Sequence, residues 1–318
     1  MDSGNGLANT GSVPGNNAHR DFVFKSWPIP LFGVLIATSL AIWSGHLVSS
    51  VALALGDEQY TYILLILPIT CGLIFLDFKS RWPLPARSLD WKAAVASAAL
   101  IGAALLVNMT IRGRVGLSAD IRLAMNMLAL VSWWLAAFLV CFGMAAFRRA
   151  LFSLFFLFWL VPLPEFVLNP LVSFLQRGSA AIAHLIFTAV GMPVAQKGML
   201  LHIPGLTLEV APECSSIRSS MMLVVTTMVL AHLLLRSPWK KTFIVLAAIP
   251  ISVAKNGLRI FALGFLATRV DPSFLTGRLH RQGGFVFFLI AMGAIFLLLR
   301  ILQRGEAEKP GRESGTRS

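Results

Sequence analysis

The sequence predicts an all-α polytopic membrane protein with about eight transmembrane helices. Of its 318 residues, 57% are hydrophobic and only 13% are charged, and the mean hydropathy is +0.77. Soluble domains carry about 25% charged residues. Apolar runs near the roughly 20 residues needed to cross a bilayer recur along the chain. These observations exclude an ordinary soluble domain and make the lipid bilayer its surroundings.

The predicted spans are the apolar runs between short loops of charged or turn-forming residues. They cover residues 29–46, 60–77, 92–111, 123–146, 149–164, 214–235, 239–256 and 284–302. Segment 166–195 is apolar on one side but carries Gln176-Arg177-Gly178-Ser179, so an interfacial helix and a crossing helix are both open. The run 260–267 is too short to span alone and is predicted to continue the preceding helix beyond a kink at Gly257.

The ends of the chain differ in composition from its apolar body. Residues 1–24 are rich in Gly, Asn and Ser and predict a disordered tail. They lack the pattern of a signal peptide, so the first span is predicted to stay as an uncleaved anchor. A single transmembrane domain is predicted over residues 25–304, followed by a basic, flexible tail over 305–318.

The net charge of +13 comes from Lys and Arg residues scattered between the apolar runs. This spacing predicts loops that orient a membrane protein, and no nucleic-acid partner. With eight spans, four basic segments fall on one side, which is predicted to be cytoplasmic: 79–92, 148–149, 236–241 and the C-terminal tail. The loop with Arg112 and Arg114 disagrees. The starts of the Cys214 helix and of the last helix are then predicted at the outer face.

A cysteine and an arginine stand at the predicted start of one apolar helix. Pro212 suits the first turn of a helix, which places Cys214 in that turn, where the helix dipole favours a thiolate. Arg218 follows four residues later on the same face. Two interpretations stay open for Cys214 alone, a nucleophile and a buried structural cysteine. Cys71 and Cys141 fall in apolar runs, and no Cys or His cluster indicates a disulfide, a metal or a cofactor.

Residues 197–211 predict a small β-hairpin on the outer face, just before the Cys214 helix. Two apolar-leaning strands flank Pro204-Gly205, a turn signal. This hairpin is either a peptide-binding edge or a plain structural loop.

Two further polar clusters are predicted at the outer face. In the first, Asn256 and Arg259 are three residues apart and share a helix face. In the second, His280 lies just before the last span. Titratable groups at membrane depth are costly and are usually functional.

At these motifs the chain resembles the exosortase/archaeosortase family of membrane-embedded cysteine transpeptidases. The resemblance covers roughly residues 150–300 and depends on Ala-Pro-Glu-Cys-Ser-Ser-Ile-Arg-Ser at 211–219, Asn-Gly-Leu-Arg at 256–259, and His280 followed by Gly284 and Phe287. One departure is Ser216, which stands where the family usually has glycine.

The resemblance implies a catalytic set of Cys214 as nucleophile, Arg259 as the group that stabilises the oxyanion, and His280 as general acid and base. It gives supporting positions to Arg218, Asn256 and Glu213. Which arginine faces the thiolate, Arg218 or Arg259, stays open.

The resemblance also implies the substrates and the location. In the family, these are membrane-anchored proteins with a C-terminal sorting signal: a short motif such as Pro-Glu-Pro, one transmembrane helix and a basic tail. The expected location is a bacterial inner membrane with the active site facing the periplasm, often in bacteria that make an exopolysaccharide. The alternative is a non-enzymatic transporter or polysaccharide-export component, although the chain shows no convincing internal repeat.

Overall fold

The computed structural model describes residues 28–79, 91–114, 116–210, 217–271 and 284–307. These ranges are mostly helical and contain one small sheet. The helices are α1 (Pro28–Gly56), α2 (Ile63–Lys79), α3 (Trp91–Gly113), α4 (Ala119–Arg149), α5 (Leu151–Phe156), α6 (Glu165–Ala189), α7 (Ile217–Leu234), α8 (Pro238–Arg269) and α9 (Gly284–Ala307). The strands are β1 (Ala195–Lys197), β2 (Leu200–Ile203) and β3 (Leu206–Glu209). The predicted N-terminal tail and residues 308–318 of the predicted C-terminal tail lie outside the described residues.

Eight candidate spans lie within the described ranges, each long and apolar enough to cross a membrane. This confirms the predicted fold class. The predicted span at 149–164 is not among these candidates, because its residues form only α5 and a short 3-10 helix, Leu157–Leu160. The Ser153 hydroxyl donates to Asp77 near the end of α2, and the Trp159 ring lies 5.9 Å from that of Tyr62, just before the start of α2. This span therefore stays a prediction. Helix α6, in the segment for which both orientations were open, is one of the eight candidates by length and composition.

The described helices group into two compact units. The first contains α1 to Leu47, α2 from Cys71, α3, α4 from Met125, and α5. Its packing is largely aromatic: the Phe32 ring lies 6.3 Å from that of Phe138, and the Trp133 indole donates to the Leu35 carbonyl at 2.9 Å. Within α4, Gly143 has φ 79 and breaks the regular helix, a conformation that glycine adopts without steric cost.

The second unit contains α6 to α9 and the sheet. Apolar side chains of α7, α8 and α9 form one buried cluster, which includes Leu223, Ile244 and Ile295. At one end of this cluster the short α7–α8 turn is tied to the end of α9, because the Glu306 carboxylate accepts the backbone N–H groups of Arg236 and Ser237 at 3.0 and 2.9 Å. The starts of α7 and α9 therefore lie toward the opposite end.

Helices α6 and α8 approach each other closely at two glycines. A Cβ on Gly257 would lie 2.5 Å from Cγ2 of Ile182 and 3.0 Å from the carbonyl oxygen of Ser179, and one on Gly178 would lie 2.8 Å from Cγ1 of Val253. Small residues allow this kind of contact between membrane helices. Helix α8 continues through Gly257 and includes the run 260–267, as predicted. The predicted kink at Gly257 is not present, and the glycine instead allows the close contact with α6.

The sheet contains the predicted hairpin and one additional strand. Strands β2 and β3 pair antiparallel around Pro204-Gly205, and Gly205 has φ 79. Strand β1, which was not predicted, pairs with the other side of β2. The sheet packs on α6 and α8 through buried Leu201 and Ile203 and partly buried Leu208.

We expect Gly257→Ala to lower the free energy of unfolding by about 1–3 kcal/mol, because the new methyl group overpacks the α6–α8 contact. The matched control is Gly293→Ala in α9, where a Cβ would meet nothing within 4 Å. Replacing that helical glycine should leave stability unchanged or raise it by about 1 kcal/mol. Thermal unfolding of both purified variants in detergent measures the difference, and equal melting temperatures would contradict the tight contact.

Candidate functional site

A layer of buried polar side chains joins α6, α7 and α8. Between α7 and α8, the Ser252 hydroxyl donates to Ser220 Oγ at 2.6 Å. Between α8 and α6, Asn256 Nδ2 donates to Ser179 Oγ at 3.0 Å. All four residues are buried. Unsatisfied polar groups are costly inside a membrane, so these bonds hold the three helices in one register.

Lys255 adds a charge to this layer and was not singled out from the sequence. Its side chain is only 5% exposed, and its ammonium donates to Ser219 Oγ on α7. The hydroxyl provides a hydrogen bond but no negative charge, and no carboxylate pairs with Lys255 in the part of the chain that the structure describes. The signal in the sequence was a lysine that directly follows the apolar run 243–254.

Arg259 lies one helical turn beyond Lys255, on the same face of α8. It is half-buried, and its guanidinium lies next to the first residue of α9: a Cβ on Gly284 would be 3.8 Å from Nη1 and 3.9 Å from Cζ. Helices α7 and α8 are antiparallel, and Lys255 of α8 is level with Ser219 of α7. One turn further along α8, Arg259 is therefore closer to the start of α7 than Ser219 is. Arg259 therefore lies at the end of the unit where α7 and α9 begin.

Arg218, the second predicted arginine, has a different partner. It is exposed at the start of α7, and its Nη1 lies 3.0 Å from Oε2 of Glu58. Glu58 begins the 3-10 helix Glu58–Tyr60, which belongs to the same unit. The two side chains are 46% and 82% exposed, so this ion pair contributes little stability.

Gln176 is a further buried residue at this site. Its Nε2 donates to the Val210 carbonyl oxygen at 2.8 Å, which fixes the end of the sheet to α6 directly before residue 211. Cys214, Glu213 and His280 lie outside the described residues. The predicted meeting of Cys214, Arg259 and His280 thus stays a prediction, while Asn256 and Arg259 lie in or beside the polar layer.

The charged side chains in or beside the layer, Lys255 and Arg259, are both cations. Cations favour an anion or a polarised carbonyl oxygen as ligand. Across the described ranges, no group of three or more His, Cys, Asp or Glu side chains could hold a metal ion.

These features define a polytopic helical membrane protein with a cationic polar layer in its last helices. A model of the transmembrane exosortase family matches residues 54–297. The chain therefore belongs to the transmembrane exosortases, a family of membrane-embedded cysteine transpeptidases that act on proteins. Membership favours the enzyme over the transporter alternative. The comparisons with curated proteins and with solved structures gave no match.

We expect Lys255→Met to keep or raise the melting temperature, because it removes a buried charge without a carboxylate partner and keeps the length of the side chain. The control is Lys240→Met on the same helix, where the ammonium donates to the Leu302 carbonyl at 2.7 Å and its loss should lower stability modestly. Thermal unfolding in detergent compares the two. A melting temperature of Lys255→Met well below that of Lys240→Met would show that Lys255 is mainly structural.

Proposed function

We propose that this chain cleaves C-terminal sorting signals of membrane-anchored proteins at the outer face of the membrane that holds it, and transfers the cleaved protein to an acceptor. The expected signal is a short Pro-Glu-Pro-like motif, one transmembrane helix and a basic tail. The observation that carries the proposal is the position of Arg259, a half-buried cation next to Gly284 at the end where α7 begins.

Chain length limits how far the other two proposed residues can lie from the starts of α7 and α9. Cys214 precedes Ile217 by three residues, so its Cα lies within about 11 Å of the Cα of Ile217. His280 precedes Gly284 by four residues, which limits the corresponding distance to about 14 Å. These bounds support a common site with Arg259.

In the proposed reaction, the Cys214 thiolate attacks the carbonyl carbon of the scissile peptide bond. Arg259 stabilises the oxyanion of the tetrahedral intermediate, and it stays charged even in a poorly solvated site. The C–N bond then breaks, and His280 delivers a proton to the leaving amine. The resulting thioester is resolved by an amine, another nucleophile or water, which regenerates the thiol.

We assign the oxyanion role to Arg259 and a supporting role to Arg218. Arg218 is exposed and paired with Glu58, which neutralises part of its charge. Arg259 is half-buried, and Lys255 one turn away adds a second positive charge where water is largely excluded. Electrostatic stabilisation is stronger in such a setting. Asn256 and Glu213 keep supporting roles in the proposal.

The proposed orientation places the sheet and the starts of α7 and α9 at the periplasmic face of a bacterial inner membrane. The end of α4 and the α7–α8 turn are then cytoplasmic, in agreement with Arg148, Arg149, Arg236, Lys240 and Lys241.

Co-expression with a protein that carries the tripartite tail tests the catalytic set. We expect no processing by Cys214→Ala, and rates about 100-fold or more below wild type for Arg259→Ala and His280→Ala. Arg218→Ala should lose less than tenfold, because its charge is exposed and paired. The loss of the tail is followed by the size of the substrate on gels, with expression of each variant as the control.

Processing by Cys214→Ala at the wild-type rate would eliminate the proposed nucleophile. A larger loss in Arg218→Ala than in Arg259→Ala would reverse the assignment of the arginines. Arg259→Lys refines the test, because it keeps the charge but loses the planar pair of donors, and it should lie between wild type and Arg259→Ala.

Labelling with a membrane-impermeant thiol reagent tests the orientation. In a background without the three native cysteines, Thr207→Cys in β3 should be labelled in cells with a permeabilised outer membrane. Arg236→Cys at the α7–α8 turn should be labelled only after the inner membrane is broken. The reverse pattern would invert the topology.

A further inference from the structure

Strand β3 lies at the edge of its sheet. The strand order is β1-β2-β3, so β3 pairs with β2 on one side only. On its other side, no strand from the described ranges pairs with it. An open edge of this kind presents backbone N–H and C=O groups that can pair with another extended chain.

The register of the sheet shows which residues present these groups. The Val210 N–H donates to the Met199 carbonyl at 3.0 Å, which continues the β2–β3 ladder by one pair. Hydrogen-bonded and open positions alternate along an antiparallel strand. Leu208 therefore points its backbone groups toward β2, while Thr207 and Glu209 point theirs to the outer edge.

This edge is held firmly by the helices beneath it. A Cβ on Gly264 of α8 would lie 2.5 Å from Cδ1 of Leu208, so the strand rests directly on the helix backbone. The buried bond from Gln176 to the Val210 carbonyl fixes the end of the strand at 2.8 Å. A partner strand would meet a preorganised edge, which reduces the entropy cost of binding.

The edge strand is also close to the proposed nucleophile along the chain. Glu209 and Cys214 are five residues apart, which limits their Cα distance to about 18 Å. The sheet lies between the candidate spans α6 and α7 along the chain, and open backbone groups are tolerated only outside the hydrocarbon core or in a polar cavity. A polypeptide anchored by one helix leaves the membrane at this height.

We infer that the outer edge of β3 binds the substrate as an added strand. The occupant is the extended segment of a membrane-anchored protein next to its transmembrane helix, held by the backbone groups of Thr207 and Glu209 while its scissile carbonyl reaches Cys214. The inference rests on the proposed function and adds the surface that aligns the substrate. Because the contacts are made to the backbone, they tolerate different side chains on the substrate.

Proline substitution tests the backbone contacts. Glu209→Pro removes an outward N–H, which an edge strand tolerates without losing a bond to its neighbour. We expect it to process the tripartite-tail protein about fivefold to tenfold more slowly than Glu209→Ala, which retains the N–H. Equal rates for Glu209→Pro and Glu209→Ala would overturn the inference.

The opposite edge of the sheet provides the matched control. Because Leu201 of β2 bonds toward β3, its neighbours Leu200 and His202 bond toward β1, and the outward position of β1 is Gln196. Gln196→Pro makes the same chemical change at the wrong edge and should process at the wild-type rate. A loss equal to that of Glu209→Pro would indicate damage to the sheet and would overturn the inference.

Disulfide crosslinking tests binding without catalysis. The enzyme carries Thr207→Cys together with Cys71→Ala, Cys141→Ala and Cys214→Ala, and the tripartite-tail protein carries single cysteines at successive positions before its helix. Under copper-phenanthroline and oxygen, we expect crosslinks at alternate positions, because side chains of a paired strand alternate between faces.

Each outcome of the crosslinking separates two proposals. Alternating crosslinks without processing by the wild-type enzyme would keep the edge and reject the proposed chemistry. Processing with no crosslinks, or with crosslinks that do not alternate, would keep the chemistry and reject the edge. Crosslinks between two enzyme chains through Thr207→Cys would make a second copy the occupant and overturn the inference.

Discussion

The polar groups buried among apolar helices control the arrangement of the last four spans. Each has to find its partner inside the protein, because lipid offers none. Ser252 with Ser220, and Asn256 with Ser179, tie α8 to both neighbouring helices. A shift of α8 by one residue would break both bonds. This fixed register sets the position of Arg259 relative to α6 and α7.

The sequence predicted the number and class of the spans better than their identity. Hydropathy alone does not separate the stretch 149–164 from α6 as a span, because it measures transfer to lipid but not continuity of the helix, and 149–164 is divided between α5 and a 3-10 helix. A different ambiguity affected α6. Gln176 and Ser179 lower its hydropathy, but both are buried and bonded to protein groups, so they do not prevent a crossing.

The candidate site was predictable where a motif existed, and less so elsewhere. Arg259 and Asn256 belong to a recognisable motif, and the family match agrees with the resemblance on which they were chosen. Lys255 lies one position before Asn256 and four before Arg259, but it belongs to no recognisable motif. Its importance for the site depends on the burial of its ammonium beside Ser219. The ion pair of Arg218 with Glu58 joins residues 160 positions apart, so local patterns could not reveal it.

The carboxylate of Glu306 has a consequence for biosynthesis. Helix α8 begins without a side-chain cap from its own N-cap residue, Ser237, and the backbone N–H groups of Arg236 and Ser237 are bonded by Glu306, near the end of α9. During translation these two N–H groups cannot bond to Glu306 until the last span has left the ribosome. The α7–α8 turn is thus completed late, and its closure couples the start of one helix to the synthesis of the final residues of the membrane domain.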